Sequence, residues 1–165
     1  ARVVKRAVGG VFFIDEAYSL MGDNFGQEAT NTILPMLLDY KGKMVCIAAG
    51  YPREIRQWID TNSGLESRFT KVIHFEDYNP DELAQIFRMK AKKDKLTLTP
   101  EAENAMRVYF TDLYNRRERN FANAREVNNY FDRVKKNQSS RLRHEMERPD
   151  FDPASYSILL PEDMG

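Results

Sequence analysis

A run of ten residues near the start of the chain, 9–18, limits most strongly what this sequence can fold into. Its sequence is Gly-Gly-Val-Phe-Phe-Ile-Asp-Glu-Ala-Tyr, in which four consecutive apolar residues are followed directly by two acids. Such an apolar run predicts a buried strand of a parallel sheet, Val11–Ile14. Open α/β sheets bind ligands at the carboxyl ends of their strands, so we expect Asp15 and Glu16 to lie at a ligand-binding edge.

Those two acids have a chemistry that suits phosphoryl transfer. Asp15 at such an edge can hold Mg²⁺, directly or through water, and Glu16 beside it can activate an attacking water. This arrangement is the Walker B motif of a P-loop NTPase. The matching Walker A loop, G-x-x-x-x-G-K-[ST], does not occur in the 165 residues, so the sequence predicts half of an ATPase site.

The periodicity of the chain changes near residue 79. Before it, apolar runs at 44–49 and 71–75 predict two more strands, and helical spacing at 27–40 and 53–60 predicts helices between them. Alternating strands and helices are typical of parallel βαβ units, so residues 1–78 are predicted as an α/β domain with a partial parallel sheet. After it the pattern is helical, and residues 79–165 are predicted as a separate all-α domain with a loop-like tail, in which the apolar run at 158–160 could form a short edge strand.

Helix-start signals support the division. Asn79 precedes proline and two acids, and Thr99 precedes proline and an acid, both of which are typical of helix N-termini. Asn123 is followed three residues later by Glu126, which is the spacing of a capping box. The sequence therefore predicts three capped helices in the second domain.

Several segments in fixed order make the chain similar to one family. The run at 9–18 resembles the AAA+ ATPases of the CbxX/CfqX type, which include red-type rubisco activases and ATPase components of some bacterial secretion systems. Four further segments agree in order and spacing: Gly26-Gln27-Glu28-Ala29, Ala49-Gly50-Tyr51, Ser67-Arg68-Phe69 and Phe121-Ala122-Asn123-Ala124-Arg125. The resemblance implies a P-loop NTPase sheet followed by a helical AAA+ lid, acting with ATP and Mg²⁺ as a homo-hexamer on a protein substrate.

The resemblance also implies roles for individual residues. Asp15 would assist Mg²⁺ coordination, and Glu16 would orient or activate the hydrolytic water. Arg68 matches the arginine finger, which acts on the nucleotide of the neighbouring subunit by stabilising charge on the γ-phosphate. Arg125 matches the sensor 2 arginine of the lid. The plainer alternatives are a surface ion pair for Arg68 and a solvated helix start for Arg125.

Two aromatic residues leave alternatives open. Tyr51 occupies the sensor 1 position, where many AAA+ proteins have a small polar residue that orients water. A tyrosine hydroxyl reaches further, so Tyr51 either contacts nucleotide in a different way or only packs. Phe25 lies in the segment 22–26 that corresponds to the second pore loop, where it could grip an extended peptide or fold back into the core.

Composition restricts partners and compartment. The formal net charge is zero, which argues against nucleic acid or an anionic membrane as a partner, and no apolar stretch is long enough for a membrane span. The single cysteine, Cys46, rules out an intrachain disulfide and fits a reducing compartment. We therefore expect a cytoplasmic protein, with neither nucleic acid nor membrane as partner.

The missing Walker A strand governs the function hypotheses. In the AAA+ fold it lies between the strands predicted at 44–49 and 71–75, so its absence would leave two apolar edges that invite self-association. The leading hypothesis is a portion of an AAA+ ATPase, with no tightly bound nucleotide expected on this chain alone. The alternatives are a non-catalytic interaction module with a degenerate site and, on weaker grounds, a helicase.

Overall fold

The computed structural model describes residues 2–165, which form two compact units divided between Phe75 and Glu76. The first unit contains a two-stranded sheet and short helices. Its elements are α1 (Arg2–Arg6), β1 (Val11–Ile14), a 3-10 helix (Ala17–Met21), α2 (Asn24–Asp39), β2 (Val45–Ala48), α3 (Pro52–Asp60) and α4 (Ser63–Glu66). The mixed α/β character predicted for this part of the chain is confirmed.

The sheet of the first unit is parallel and packed on one face only. In β1 and β2, Val11 pairs with Val45 and Phe13 with Ile47. These four side chains form the outer face and are 43–57% exposed. On the inner face, Ile14 and Ala48 pack against a small core that consists of Ala17, Leu34, Trp58 and Leu65.

The strand predicted at residues 71–75 is not formed, and that prediction is wrong. The segment has no regular secondary structure, and its apolar side chains Val72, Ile73 and Phe75 are 66–87% exposed. An extended segment becomes a strand only when a neighbouring strand takes up its backbone hydrogen bonds. Within residues 2–165, the sheet of the first unit contains only β1 and β2.

The second unit is a helical domain with its own core. Its helices are α5 (Pro80–Lys93), α6 (Pro100–Asn115) and α7 (Ala124–Glu145). Large side chains from all three interlock in the core, where Phe87 contacts the rings of Phe110, Tyr130 and Phe131. These four residues are at most 3% exposed, so this unit completes its core with its own residues.

A short ladder accompanies the helices of the second unit, and one of its strands lies where the sequence predicts an edge strand, at 158–160. Two-residue strands β3 (Thr97–Leu98) and β4 (Ile158–Leu159) pair in parallel and bring the tail onto the helices. The tail is fixed further by Arg141, whose guanidinium donates to both oxygens of the Asp163 carboxylate at 2.9 and 3.0 Å. Asp163 is 1% exposed, so the tail that the sequence pattern suggests to be loop-like is part of the folded domain.

Two of the three predicted helix caps are confirmed. Asn79 and Glu82 form a complete capping box, and the Thr99 side chain accepts from the backbone N–H of Ala102. Asn123 precedes α7 but makes no side-chain capping bond, so the capping box predicted for it is wrong. Among the helices of residues 2–165, none has the length and apolar character needed to cross a membrane.

Candidate functional site

Asp15 and Glu16 follow β1 directly, as predicted, and both are exposed. The Asp15 carboxylate accepts from the backbone N–H of Glu16 at 3.1 Å. Glu16 has a left-handed backbone (φ 47°, ψ 48°), and its carbonyl accepts from Ser19 to open the 3-10 helix. This turn ends the strand abruptly and leaves both carboxylates in solvent at the carboxyl end of the sheet.

The end of β2 lies beside this turn. The backbone N–H of Ala17 donates to the carbonyl of Ala49 at 3.0 Å, which joins the two loops beyond the strand ends. Tyr51 follows two residues later and precedes α3, and its ring lies 6.4 Å from the ring of Tyr18. The structure therefore brings Tyr51 close to Tyr18, which lies two residues after Glu16.

Tyr18 and Gly50 belong to this site, although the sequence analysis assigned neither a role. Partial burial and the negative charge of the nearby Glu16 carboxylate raise the pKa of Tyr18. A Cβ on Gly50 would lie 2.9 Å from the Tyr18 ring, so only glycine leaves room for it. The available signal was a glycine just beyond the strand predicted at 44–49, since glycine is the usual residue where another group approaches the backbone closely.

The residues present supply one part of a magnesium site. Among residues 2–165, no three His, Cys, Asp or Glu side chains cluster closely enough to hold a metal ion. Mg²⁺ in nucleotide sites needs few protein ligands, since phosphates and water complete its octahedral shell. Asp15 fits that requirement because it is exposed and only one of its oxygens is engaged, by Glu16.

Arg68 lies after α4 in the first unit and is held by its own unit. Its Nε donates to the carbonyl of Leu34 at 3.2 Å, and its Nη1 donates to the carbonyl of Gly64 and the hydroxyl of Ser67 at 3.0 and 2.8 Å. No side chain among residues 2–165 forms an ion pair with this guanidinium. The surface ion pair considered as the alternative for Arg68 is therefore not formed in this part of the chain.

A groove runs beside Arg68 along the free edge of β2. It has a volume of about 420 Å³, and its wall includes Leu37, Met44, Cys46 and Phe69. Burial raises the pKa of the Cys46 thiol to about 11, so the thiol stays protonated near neutral pH. Cys46 is thus a small apolar wall residue and not a nucleophile.

Arg125 occupies the first turn of α7 in the second unit. It is exposed, and its guanidinium has no hydrogen bond or ion pair among the residues that the structure describes. Its backbone N–H donates to the carbonyl of Ala122, which tightens the turn before the helix. A cation at this position is disfavoured by the helix dipole and gains nothing from its neighbours, so it is available for an anionic ligand.

Phe25 lies in the first turn of α2, with 80% of its surface exposed. Asp23 caps this helix by accepting from the backbone N–H of Gly26 at 2.7 Å. The helix therefore starts inside the segment predicted as a loop, at 22–26. The alternative in which Phe25 folds back into the core is wrong.

Comparison with known proteins agrees with this architecture. The family model described as the AAA lid domain matches residues 79–165, which is more than half of the chain. Protein CbbX of Cereibacter sphaeroides is 37% identical over 166 residues, covering 98% of this chain and 53% of that protein. The chloroplastic ribulose bisphosphate carboxylase/oxygenase activase of Cyanidioschyzon merolae is 38% identical, covering 86% of this chain and 49% of that protein.

A secretion protein shares a shorter stretch. The ESX-1 secretion system protein EccA1 of Mycobacterium tuberculosis is 43% identical over 108 residues, covering 62% of this chain and 19% of that protein. The chain belongs to the AAA+ ATPases related to CbbX and CfxQ, with residues 79–165 as its AAA lid domain. It spans about half the length of the CbbX-like and activase relatives that it matches.

Proposed function

We propose that this chain is the Walker B-to-lid portion, residues 1–78 and 79–165, of an ATPase that hydrolyses ATP as a homo-hexameric ring to remodel a protein substrate. The observation that carries the proposal is the placement of Asp15 and Glu16 at the carboxyl end of β1, beside the end of the parallel strand β2. Family membership supports ATP and Mg²⁺ as ligands of the full-length relatives.

Asp15 is the residue proposed to hold Mg²⁺, directly or through a bound water. The ion, when bound with ATP, neutralises charge on the phosphates. Glu16 is proposed as the base that orients the attacking water, since its exposed carboxylate extends from a left-handed turn at the end of β1. Tyr18 and Tyr51 lie near this turn, with their rings 6.4 Å apart.

Two arginines, Arg68 and Arg125, are also proposed to act on nucleotide. Arg68 is the proposed arginine finger for a neighbouring subunit, and its Nη2 group forms no hydrogen bond among residues 2–165. The contacts to Leu34, Gly64 and Ser67 fix the rest of the guanidinium, as preorganised transition-state stabilisation requires. Arg125 is the proposed sensor 2 arginine, because it is exposed and unpaired within the described chain.

The relatives belong to different biological settings, since one is an activase of ribulose bisphosphate carboxylase/oxygenase and another belongs to a secretion system. We therefore limit the proposed substrate to a protein, without choosing between these settings. The 80% exposure of Phe25 supports peptide contact at the corresponding position of the ring.

The test is to separate nucleotide binding from hydrolysis in the full-length protein. Glu16→Gln keeps the size of the side chain but removes the base, so we expect unchanged ATP affinity and a loss of turnover of about 100-fold or more. The control is Glu101→Gln, which removes an exposed acid from the first turn of α6 in the lid. Equal turnover in Glu16→Gln and wild type would contradict the role of Glu16, and absence of ATP binding would favour an interaction module.

The trans role of Arg68 needs a mixing experiment. We expect Arg68→Ala to abolish hydrolysis, and mixed rings to lose more activity than their fraction of variant subunits, because each missing arginine disables a neighbour. If activity simply follows the wild-type fraction, Arg68 does not act across the subunit interface.

A further inference from the structure

Asn123 occupies the residue before α7 but does not act as a cap. An asparagine at this position usually accepts from the second or third N–H of its helix. Here the side chain makes no such bond, and the backbone has φ 50° and ψ −121°, a conformation that side chains rarely adopt. A strained residue that forgoes its usual bond indicates that the surrounding structure uses the side chain for another purpose.

The side chain of Asn123 is directed to the segment that leads into the lid. Its Oδ1 accepts from the backbone N–H of Tyr78 at 2.8 Å, and its Nδ2 donates to the Asp77 carboxylate at 2.8 Å. The same Nδ2 donates to the carbonyl of Phe121 at 3.2 Å. One carboxamide thus connects the start of α7 with residues 77–78, which lie about 45 positions earlier in the chain.

Asp77 is held from a second side. The guanidinium of Arg117 lies 3.4 Å from the Asp77 carboxylate, stacks over the ring of Tyr114 and donates to the Tyr114 carbonyl at 2.8 Å. The entry segment is therefore fixed both to the end of α6 and to the start of α7. A pair of anchors of this kind restricts rotation of the segment more than a single hydrogen bond does.

The geometry points to Asn123 as a positioning residue that joins the segment entering the lid, residues 77–78, to the turn that carries Arg125. Arg125 follows two residues after Asn123, and its own side chain has no anchor among the described residues. With residues 77–78 clamped to this turn, the lid entry moves together with Arg125. This inference rests on the proposed sensor 2 role of Arg125.

The test uses the full-length ATPase with Asn123→Gly, which relieves the backbone strain and removes the carboxamide. The control is Asn120→Gly, the same substitution three residues earlier, where the side chain makes no hydrogen bond within residues 2–165. We expect Asn123→Gly to speed hydrogen exchange at the Tyr78 amide by about 10-fold or more. We expect it to weaken affinity for a fluorescent ATP analogue with Mg²⁺ by about 5-fold, with neither change in the control.

Combining Asn123→Gly with Arg125→Ala distinguishes a specific effect of Asn123 on Arg125 from a general destabilisation of the lid. If Asn123 acts through Arg125, adding Asn123→Gly to Arg125→Ala weakens ATP affinity no further than Arg125→Ala alone. Additive losses, or unchanged Tyr78 exchange in Asn123→Gly, would overturn the coupling and leave the role of Arg125 intact. Unchanged affinity in Arg125→Ala would instead overturn the proposed role of Arg125 and the coupling with it.

Discussion

The two units of this chain differ in how they bury apolar surface. In the lid, Phe87, Phe110 and Tyr130 are at most 1% exposed, and the tail adds Leu159 at 0%. In the α/β unit, one face of the sheet formed by β1 and β2 packs against the small core, while Phe13 and Val45 on the other face are 55% and 57% exposed. The lid completes its own core, whereas the sheet presents a face that parallel sheets normally cover with helices.

This difference shows which part of the chain depends on other elements. A two-stranded sheet with one apolar face in water is marginally stable by itself, because it needs further strands or packed helices. The segment 71–75 leads to the same conclusion, since its strand-like sequence forms no regular secondary structure and its apolar side chains are exposed. The four predictions that follow test this difference between the units, in order of decreasing effect on stability.

The largest effect is expected for Phe87→Ala in the lid. Phe87 is fully buried among three aromatic rings, so its truncation should destabilise the lid by about 3–5 kcal/mol. The matched variant Phe13→Ala, on the exposed face of the sheet, should cost less than about 1 kcal/mol in this chain. Hydrogen exchange of the core amides in each unit measures both values, and equal losses would contradict the contrast.

A smaller effect is expected for Gly26→Ala in the α/β unit. A Cβ on Gly26 would lie 2.5 Å from the backbone oxygen of Leu20, so α2 and the preceding 3-10 helix would have to separate. Overpacking of this kind costs about 1–3 kcal/mol. Gly22→Ala is the control, since its Cβ would be 3.7 Å from the nearest atom. Urea unfolding followed by Trp58 fluorescence measures both, and equal midpoints would show that the contact is not rigid.

The third prediction concerns the acid stability of the lid. Hydrogen bonding from Arg88, aided by Arg107, lowers the pKa of Glu103 below its ordinary value of 4.5. A carboxyl whose pKa is lower in the folded state stabilises fully above its unfolded pKa and loses that contribution as pH falls through the folded pKa. Glu103→Gln should therefore flatten the acid limb of the lid's unfolding free energy below about pH 5. An unchanged slope would contradict the assignment.

The smallest effect concerns Cys46, where no change in stability is involved. With its pKa raised to about 11, the thiol has about 100-fold less thiolate at pH 8 than a free cysteine. Alkylation of the folded chain at pH 8 should be slower by that factor. Labelling as fast as that of a denatured control would show that the α/β unit opens readily, which would sharpen the difference from the lid.

Local signals in the sequence predicted much of this structure correctly. The apolar run of β1 and the cap residues Asn79 and Thr99 act over a few positions, so pattern alone was sufficient. The strand at 71–75 was predicted from the same kind of run and failed, because a strand depends on a partner that a local pattern does not include. Asn123 failed for a related reason, since its carboxamide is used by residues 77–78, far away in sequence.

The candidate site shows the same division. Asp15 and Glu16 follow from their position after a buried strand, which the sequence displays. Tyr18 and Gly50 were missed because they matter through a contact between two loops. The Tyr18 ring, from the loop after β1, occupies the space that Gly50 leaves in the loop after β2. This contact can be predicted only when the register of β1 and β2, which sets the two loops side by side, is known.

The most direct test of the account is hydrogen exchange of the full-length protein with and without a non-hydrolysable ATP analogue and Mg²⁺. If the separated motifs form one nucleotide site, the analogue should slow exchange at residues 15–18, 50–51, 66–69 and 122–126. Exchange in the lid core around Phe87 should stay unchanged and serves as the internal control. Protection confined to other segments, with these four unchanged, would contradict the proposed site.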